Sequence, residues 1–246
     1  MSHVELRAAT DADDLARIAA DVVTGVCRAR PGARIVVATG RSPLGAYAEL
    51  ARRVVAGSLD ASSVVPFQLD EYVGLEPGDG RSLGRWALET FVRPLGIPDD
   101  RFVRLPLDGA RALGAYDRWV GMSGGYDLAI LGIGENGHIG FNEPPSDAGS
   151  PSRVVELSDA SVASNAAYWG DAVPRRAVTI GMAPLLASAT VLLVASGARK
   201  REILGRALFG PVTPDVPASY LQRAARVVVV ADADALPEGP AEGGPT

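Results

Sequence analysis

Cysteine and histidine are almost absent from this chain of 246 residues, which contains one cysteine, Cys27, and two histidines. A single cysteine excludes an internal disulfide and fits a reducing compartment. Two histidines and one cysteine that lie far apart in the sequence make a zinc site improbable. We therefore expect no disulfide and no metal, and we predict a cytoplasmic location.

Long apolar runs and runs of basic residues are missing as well. No apolar stretch approaches the roughly 18 residues of a membrane span, and the N-terminus lacks the apolar segment of a signal peptide. The net charge of −5 and the isoelectric point near 5.1 argue against a nucleic-acid surface. We therefore expect neither a membrane nor a nucleic acid as a partner.

What the chain does contain is enough apolar sequence, 47% of its residues, for the core of one large α/β domain. Short β-branched apolar runs predict strands at residues 34–39, 64–69, 126–131, 177–180, 190–195 and 227–231. Helical patterns lie between them at residues 11–30, 42–56, 82–92, 110–120 and 198–209, with Asp11 or Thr10 as a plausible cap of the first. This alternation predicts a mostly parallel sheet with helices on both faces.

The alternation of predicted strands and helices is interrupted between about residues 145 and 172. This stretch is rich in serine and proline and then weakly helical, and an insertion of this kind near a site is often a lid. A surface loop without a functional role fits the composition of this segment equally well. We predict one domain over residues 1–236, a small lid at about 145–172, and a disordered tail at 237–246.

The most informative stretch follows the predicted strand at 126–131. It has three glycines in six residues, then His138 and Glu143. Glycine lets a backbone approach a ligand closely, and ligands of open α/β sheets bind at the carboxyl ends of strands. A lone histidine is usually structural, but these surroundings favour a functional His138 whose ring Glu143 would orient. The other histidine, His3, lies in a terminus that we expect to be frayed.

Candidate anion-binding residues follow two other predicted strands. Thr39 and Gly40 lead into a helix start at Ser42, where free backbone N–H groups attract phosphate or carboxylate. Many such turns bind nothing, so the motif alone leaves anion binding open. Lys200 falls in the first turn of a later helix, where its charge opposes the helix dipole. It indicates either a nearby anion or a solvated lysine.

Asp70 and Glu71 follow the predicted strand at 64–69. A carboxylate at a strand's carboxyl end is well placed for acid–base chemistry. Strand alternation directs the two side chains to opposite sides, so at most one of them is the base. The alternative is a solvated loop in which Asp70 caps the next turn.

Together these motifs resemble the glucosamine-6-phosphate deaminase family, also called glucosamine-6-phosphate isomerase, over nearly the whole chain. Residues 69–75 (Leu-Asp-Glu-Tyr-Val-Gly-Leu) and 132–144 are similar to its two signature motifs, and residues 39–43 are similar to its phosphate loop. Residues 177–181, 196–200 and 216–219 resemble later family segments. The wider superfamily includes 6-phosphogluconolactonases, which share the fold and the phosphate loop but do not usually carry the first motif.

The resemblance implies a modified Rossmann-like sheet and a reaction without cofactor or metal. Glucosamine 6-phosphate would be opened, isomerised from aldose to ketose, and converted to fructose 6-phosphate and ammonia. Asp70 would move a proton between C2 and C1, and His138 would assist ring opening with Glu143 as its orienter. Asn136 stands where family members have aspartate or asparagine, and Glu71 completes the candidate catalytic set. The residues that would hold the phosphate are Thr39, Gly40, Ser42 and Lys200.

Two positions depart from the family pattern. Arg41 replaces a glycine of the phosphate loop, and Ala167 aligns with an arginine that usually contacts the substrate phosphate. We predict that Arg41 supplies the charge that Ala167 lacks. The alternatives are a related isomerase or lactonase that acts on another amino-sugar phosphate, or a sensor without turnover. The predicted partner is a small-molecule sugar phosphate, and assembly into a homo-oligomer stays open.

Overall fold

The computed structural model describes residues 3–76, 78–159, 161–163, 166 and 173–237. Its strands are β1 (His3–Ala9), β2 (Arg34–Val37), β3 (Val65–Gln68), β4 (Asp70–Tyr72), β5 (Leu128–Gly132), β6 (Arg153–Glu156), β7 (Arg176–Thr179), β8 (Val191–Ala195) and β9 (Arg226–Asp232). Its helices are α1 (Ala12–Ala29), α2 (Leu44–Val55), α3 (Leu83–Ala87), α4 (Ala110–Met122), α5 (Met182–Leu186) and α6 (Arg201–Phe209). A π-helical turn, Leu88–Val92, extends α3, and 3₁₀ turns occupy Asp99–Arg101, Ala198–Lys200 and Pro217–Arg223.

The main sheet has six parallel strands in the order β1-β9-β8-β5-β2-β3. From β2 the chain moves outward to β3, whereas from β5 it moves the opposite way to β8 and β9. The order therefore reverses between β2 and β5. In open α/β sheets this reversal leaves a crevice at the carboxyl ends of the strands, which is where ligands bind.

Both faces of this sheet are covered, as the sequence predicts. Along β2, Val36 points into one apolar core and Ile35 and Val37 into the other, which is the two-residue period of a strand. Helices α1, α2 and α3 build the core on the side of Ile35, and α4, α5 and α6 build the core on the side of Val36. The predicted α/β fold with a mostly parallel, doubly covered sheet is confirmed.

A second sheet of three antiparallel strands, β4-β7-β6, stands beside the first. It contains the strand predicted at 177–180, here β7, which pairs with β4 so that Asp70 lies opposite Thr179. Strand β6 was not predicted, because Val154 and Val155 are its only apolar residues. It lies inside the segment predicted as a lid, so part of that segment is an element of this sheet.

Three local predictions are corrected or confirmed by the structure. The N-terminal segment is not frayed from residue 3 onward, because β1 pairs with β9 along its whole length. Helix α2 begins at Leu44 after a turn closed by Leu44 N donating to Arg41 O, so Ser42 is not its cap. Of the two candidate caps of α1, Thr10 and Asp11, the structure confirms Asp11, whose side chain accepts a hydrogen bond from Asp14 N at 2.8 Å.

Parts of two other predictions fall outside the described residues. They are residues 160, 164–165 and 167–172 of the predicted lid, including Ala167, and residues 238–246 of the predicted tail. Within the part of the chain that is described, no helix is both long and apolar enough to cross a membrane.

Candidate active site

A cavity of about 720 Å³ opens at the carboxyl ends of β2, β3, β5 and β8, where the strand order reverses. Its volume is in the range of small-molecule sites. The loops after these strands bring together candidates that are far apart in sequence. The predicted residues in its wall are Thr39, Gly40, Arg41, Ser42, Asp70, Asn136, His138, Glu143 and Lys200. Glu71 is not among the residues that line it.

Asp70 lies at the junction of β3 and β4 and is buried beneath the cavity. Burial and then the charge of Glu71 raise the pKa of its carboxyl to about 7, although a hydrogen bond from Thr39 Oγ1 at 3.3 Å works in the opposite direction. Near neutral pH both the ionised and the protonated forms are therefore populated. A general base that also returns its proton needs this property.

Glu71 points away from Asp70, as strand alternation predicts, and its carboxylate is fully occupied. It accepts hydrogen bonds of 2.7–3.0 Å from Tyr72 N, Leu83 N, Gly84 N, Ser82 Oγ and Gln68 Nε2. A methyl group at Gly84 would lie 2.8 Å from Gln68 Nε2 and 3.2 Å from Glu71 Oε2, so a larger residue there would displace the side chains of this network. This arrangement gives Glu71 a structural position that ties β4 to the start of α3, rather than a place in the cavity.

The loop after β5 is folded tightly around His138. A methyl group at Gly134 would overlap the imidazole ring, which explains why glycine stands there. Gly140 adopts a φ of 56°, and a methyl group there would lie 3.0 Å from Thr179 Oγ1 and 3.4 Å from Asp70 Oδ2. The glycines therefore bring the loop close both to its own histidine and to the carboxylate of Asp70.

Glu143 connects His138 to the rest of the loop. Its Oε1 lies 3.2 Å from His138 Nδ1, and its Oε2 accepts a hydrogen bond of 2.7 Å from Asn136 Nδ2. The backbone N–H of His138 donates to Asn136 Oδ1 at 3.2 Å. Burial raises the pKa of Glu143, but the neighbouring His138, Ser161 and Asn136 outweigh it and lower the pKa to about 2. The carboxylate is thus ionised at neutral pH and can balance an imidazolium.

The opposite wall is suited to an anion. Thr39, Gly40 and Ser42 form the turn before α2, whose N-terminus has no hydrogen bond from a capping side chain. Uncapped backbone N–H groups at a helix start attract phosphate. Lys200 reaches the cavity from the loop after β8, and partial burial lowers the pKa of its ammonium group. Arg41, which is exposed, also contributes to this wall.

Sequence reasoning missed several residues of the cavity. Leu83 and Trp86 come from α3. Arg199 and Glu135, which also line the cavity, form an ion pair at 3.3 Å. Ser161, from the predicted lid, donates a hydrogen bond of 2.5 Å to Glu143 Oε1. No motif marks these side chains, because packing between distant segments brings them here. Within the described part of the chain, no group of three or more histidine, cysteine, aspartate or glutamate side chains is arranged to hold a metal ion.

Comparison with known proteins agrees with this geometry. A family model described as glucosamine-6-phosphate isomerases/6-phosphogluconolactonase matches residues 7–230. The chain is 39% identical over 220 residues to a glucosamine-6-phosphate deaminase of Lachnoclostridium phytofermentans, covering 87% of this chain and 93% of the relative. It is 37% identical over 228 residues to glucosamine-6-phosphate deaminase 2 of Bacillus subtilis, covering 89% and 91%.

Solved structures show the same relationship. A monomeric glucosamine-6-phosphate deaminase superimposes with a TM-score of 0.89 at 31% identity, covering 94% of this chain and 98% of the other. A 6-phosphogluconolactonase from Trypanosoma brucei has a TM-score of 0.74 at 19% identity, covering 94% and 97%, and so shares the fold. This chain belongs to the family of glucosamine-6-phosphate isomerases and 6-phosphogluconolactonases.

Proposed function

We propose that this protein is a glucosamine-6-phosphate deaminase, which converts glucosamine 6-phosphate and water into fructose 6-phosphate and ammonia. One observation carries the proposal. Asp70, a buried carboxylate with a pKa of about 7, lines the same cavity as the His138–Glu143 pair and the anion-binding turn before α2. A base, a second acid–base pair and a phosphate site are the parts that this reaction needs.

The relatives favour the deaminase over the lactonase. Those compared above at 37% and 39% identity are named glucosamine-6-phosphate deaminases, and so is the solved structure at 31% identity. The lactonase structure, at 19% identity, supports the fold alone. Asp70 lies within the motif Leu-Asp-Glu-Tyr-Val-Gly-Leu, which lactonases do not usually carry.

Ring opening is the first step, and we assign it to His138. The neutral imidazole takes the proton of the O1 hydroxyl and delivers a proton to the ring oxygen as the C1–O5 bond breaks. An imidazole suits this transfer near neutral pH. Glu143, ionised beside it, stabilises the imidazolium formed between the two transfers. The product is the open-chain aldehyde.

Isomerisation and deamination follow. Ionised Asp70 removes the proton from C2 while the substrate's ammonium group gives one of its protons to the C1 oxygen, which gives an enolamine. Asp70 then returns its proton to C1, and the C2–nitrogen bond becomes a protonated imine. Water adds to C2, the C2–nitrogen bond breaks, and ammonia leaves as C2 becomes the ketone. Water is the only co-reactant, so the deamination step is a hydrolysis.

The phosphate would rest on the turn formed by Thr39, Gly40 and Ser42, with Lys200 and Arg41 supplying charge. The residues assigned above to catalysis and to the phosphate all belong to one chain, and the solved deaminase of similar structure is described as monomeric. We therefore propose that catalysis needs no partner subunit, and we place the enzyme in the cytoplasm.

The test is to incubate the protein with glucosamine 6-phosphate and to measure ammonia and fructose 6-phosphate separately. We expect the two products in equal amounts, together with little activity on 6-phosphogluconolactone. Hydrolysis of the lactone without ammonia release would identify a lactonase instead. Saturable binding of glucosamine 6-phosphate without turnover would identify a sensor. The same assay with galactosamine 6-phosphate, the 4-epimer, tests whether an enzyme with this altered phosphate turn prefers another hexosamine phosphate.

A further inference from the structure

The carboxylate of Glu143 is held from two sides. Asn136 Nδ2 donates to Oε2 at 2.7 Å, and Ser161 Oγ donates to Oε1 at 2.5 Å. Asn136 belongs to the same loop as Glu143, whereas Ser161 comes from the segment after β6 and is itself buried. A short hydrogen bond from a buried hydroxyl to a carboxylate is among the stronger contacts in proteins.

Ser161 must be the donor to Glu143, because an ionised carboxylate only accepts hydrogen bonds, and Ser158 is a second partner of its hydroxyl. Ser158 Oγ donates to Ser161 Oγ at 3.1 Å, and Ser161 N donates to Ser158 Oγ at 3.2 Å. Because the hydrogen of Ser161 Oγ is donated to Glu143, the hydroxyl of Ser158 is the donor in their contact. The segment that carries Ser161 therefore presents a donor to the carboxylate that accompanies His138.

His138 Nδ1 lies near the same oxygen that Ser161 occupies. It is 3.2 Å from Glu143 Oε1, but the alignment falls short of a hydrogen bond, and the buried Nδ1 has no hydrogen-bond partner among the described residues. A carboxylate oxygen can accept two hydrogen bonds, so Ser161 and His138 can share Oε1. The short hydrogen bond from Ser161 stabilises the negative charge on Oε1 and therefore weakens its attraction for His138.

We infer that Ser161 is a positioning residue for His138: by donating to Glu143 Oε1, its hydroxyl limits how strongly the carboxylate binds the imidazole. The inference rests on the proposed role of His138 in ring opening. A histidine that takes a proton and then gives it up must not bind it too tightly. Ser161 would keep the imidazole from forming a full-strength pair with Glu143.

Titration of the two histidines by NMR tests this without any assay of activity. The chain has only His3 and His138, so the resonances are readily assigned. In Ser161→Ala, Oε1 loses this donor and the carboxylate acts fully on His138. We expect the imidazole of His138 to titrate at a higher pH than in the intact protein, by about half a pH unit.

The other charges around His138 stay the same in this variant, so they cannot produce the difference. Those that share the cavity with it are Arg41, Asp70, Glu135, Glu143, Arg199 and Lys200. Ser161→Thr keeps the hydroxyl and should titrate as the intact protein does. Ser158→Ala removes a hydroxyl from the same segment without touching Glu143, and it should leave the titration nearly unchanged.

An unchanged titration of His138 in folded Ser161→Ala, even with a loss of stability, would overturn the inference. If Ser161→Ala does not fold, Ser161→Cys keeps the volume with a poor donor and replaces it in the test. A protein that lacks deaminase activity but shows the expected titration would refute the proposed function while leaving the contact intact. Deaminase activity together with an unchanged titration of His138 in Ser161→Ala would support the proposed function and reject the role of Ser161.

Discussion

Asp70 is the residue on which the proposed chemistry depends most. Asp70→Asn keeps the size and most contacts of the side chain but removes the base. We expect kcat to fall by about two to four decades, the usual contribution of an acid–base group, with KM little changed. Glu76→Gln, which alters an exposed carboxylate in the following loop, is the matched control. Near-normal turnover in Asp70→Asn would remove Asp70 from the mechanism.

The ionised carboxylate of Asp70 should also destabilise the folded protein at neutral pH. Burial and the nearby Glu71 raise its pKa from 3.8 to about 7, so between these pH values the folded chain binds a proton that the unfolded chain has lost. Stability due to this group therefore falls as the pH rises from 4 to 7. In urea unfolding, the stability of Asp70→Asn relative to wild type should rise with pH between 4 and 7, by about 4 kcal/mol in total. A difference independent of pH would contradict the buried, perturbed carboxyl.

Arg41 decides whether the altered turn still binds phosphate. A guanidinium can pair with two phosphate oxygens at once, and losing such a contact costs about 1.5–3 kcal/mol. Arg41→Gly should therefore raise KM for glucosamine 6-phosphate by roughly one to two decades and leave unphosphorylated glucosamine unaffected. Arg52→Gln, which changes an exposed arginine on α2, is the control. Faster use of the phosphosugar by Arg41→Gly would mean that Arg41 blocks the site.

At the scale of elements, Glu71 joins β4 to α3, and both elements contribute to the cavity. Glu71→Gln leaves some of the donors around it unsatisfied, so we expect a loss of about 2–3 kcal/mol in unfolding free energy. Its charge also contributes to the raised pKa of Asp70, after burial. The acid limb of the kcat/KM profile should therefore move to lower pH in Glu71→Gln. Glu76→Gln should change neither quantity, and an unmoved acid limb in Glu71→Gln would contradict this reading.

The elements that sequence could predict are those with continuous apolar character. Strands β2, β5 and β8 are buried on both faces, and their runs of valine, leucine and isoleucine are unambiguous. Strand β1 is an edge strand in which Val4 and Leu6 remain partly exposed, so its polar alternation resembles a loose terminus. Strand β6 has only two apolar residues, Val154 and Val155, so no apolar run marks it. Its pairing with β7 depends on contacts that sequence does not display.

At the scale of the whole molecule, the sheet explains why most of the candidate site could be predicted. Residues at the carboxyl ends of parallel strands meet at one edge. Thr39, Asp70, His138 and Lys200 each follow a predicted strand, so they could be placed together before the strand order was known. The alternation of side chains along a strand also predicts that Glu71 points away from Asp70. The contacts of Ser161 and Trp86 could not, because they depend on how separate segments pack over that edge.

The central claim is that Asp70 carries one proton from C2 to C1 inside this cavity. The most direct test follows the reaction of glucosamine 6-phosphate in D₂O by NMR, with wild type and Asp70→Asn. We predict that the hydrogen newly delivered to C1, whether it comes from C2 or from the solvent, occupies only one of the two hydrogen positions on C1 of fructose 6-phosphate. A single carboxylate delivers it to one face of the enolamine. Asp70→Asn should form almost none of this product. Label in both C1 positions, or the same labelled product from Asp70→Asn at a similar rate, would contradict the account.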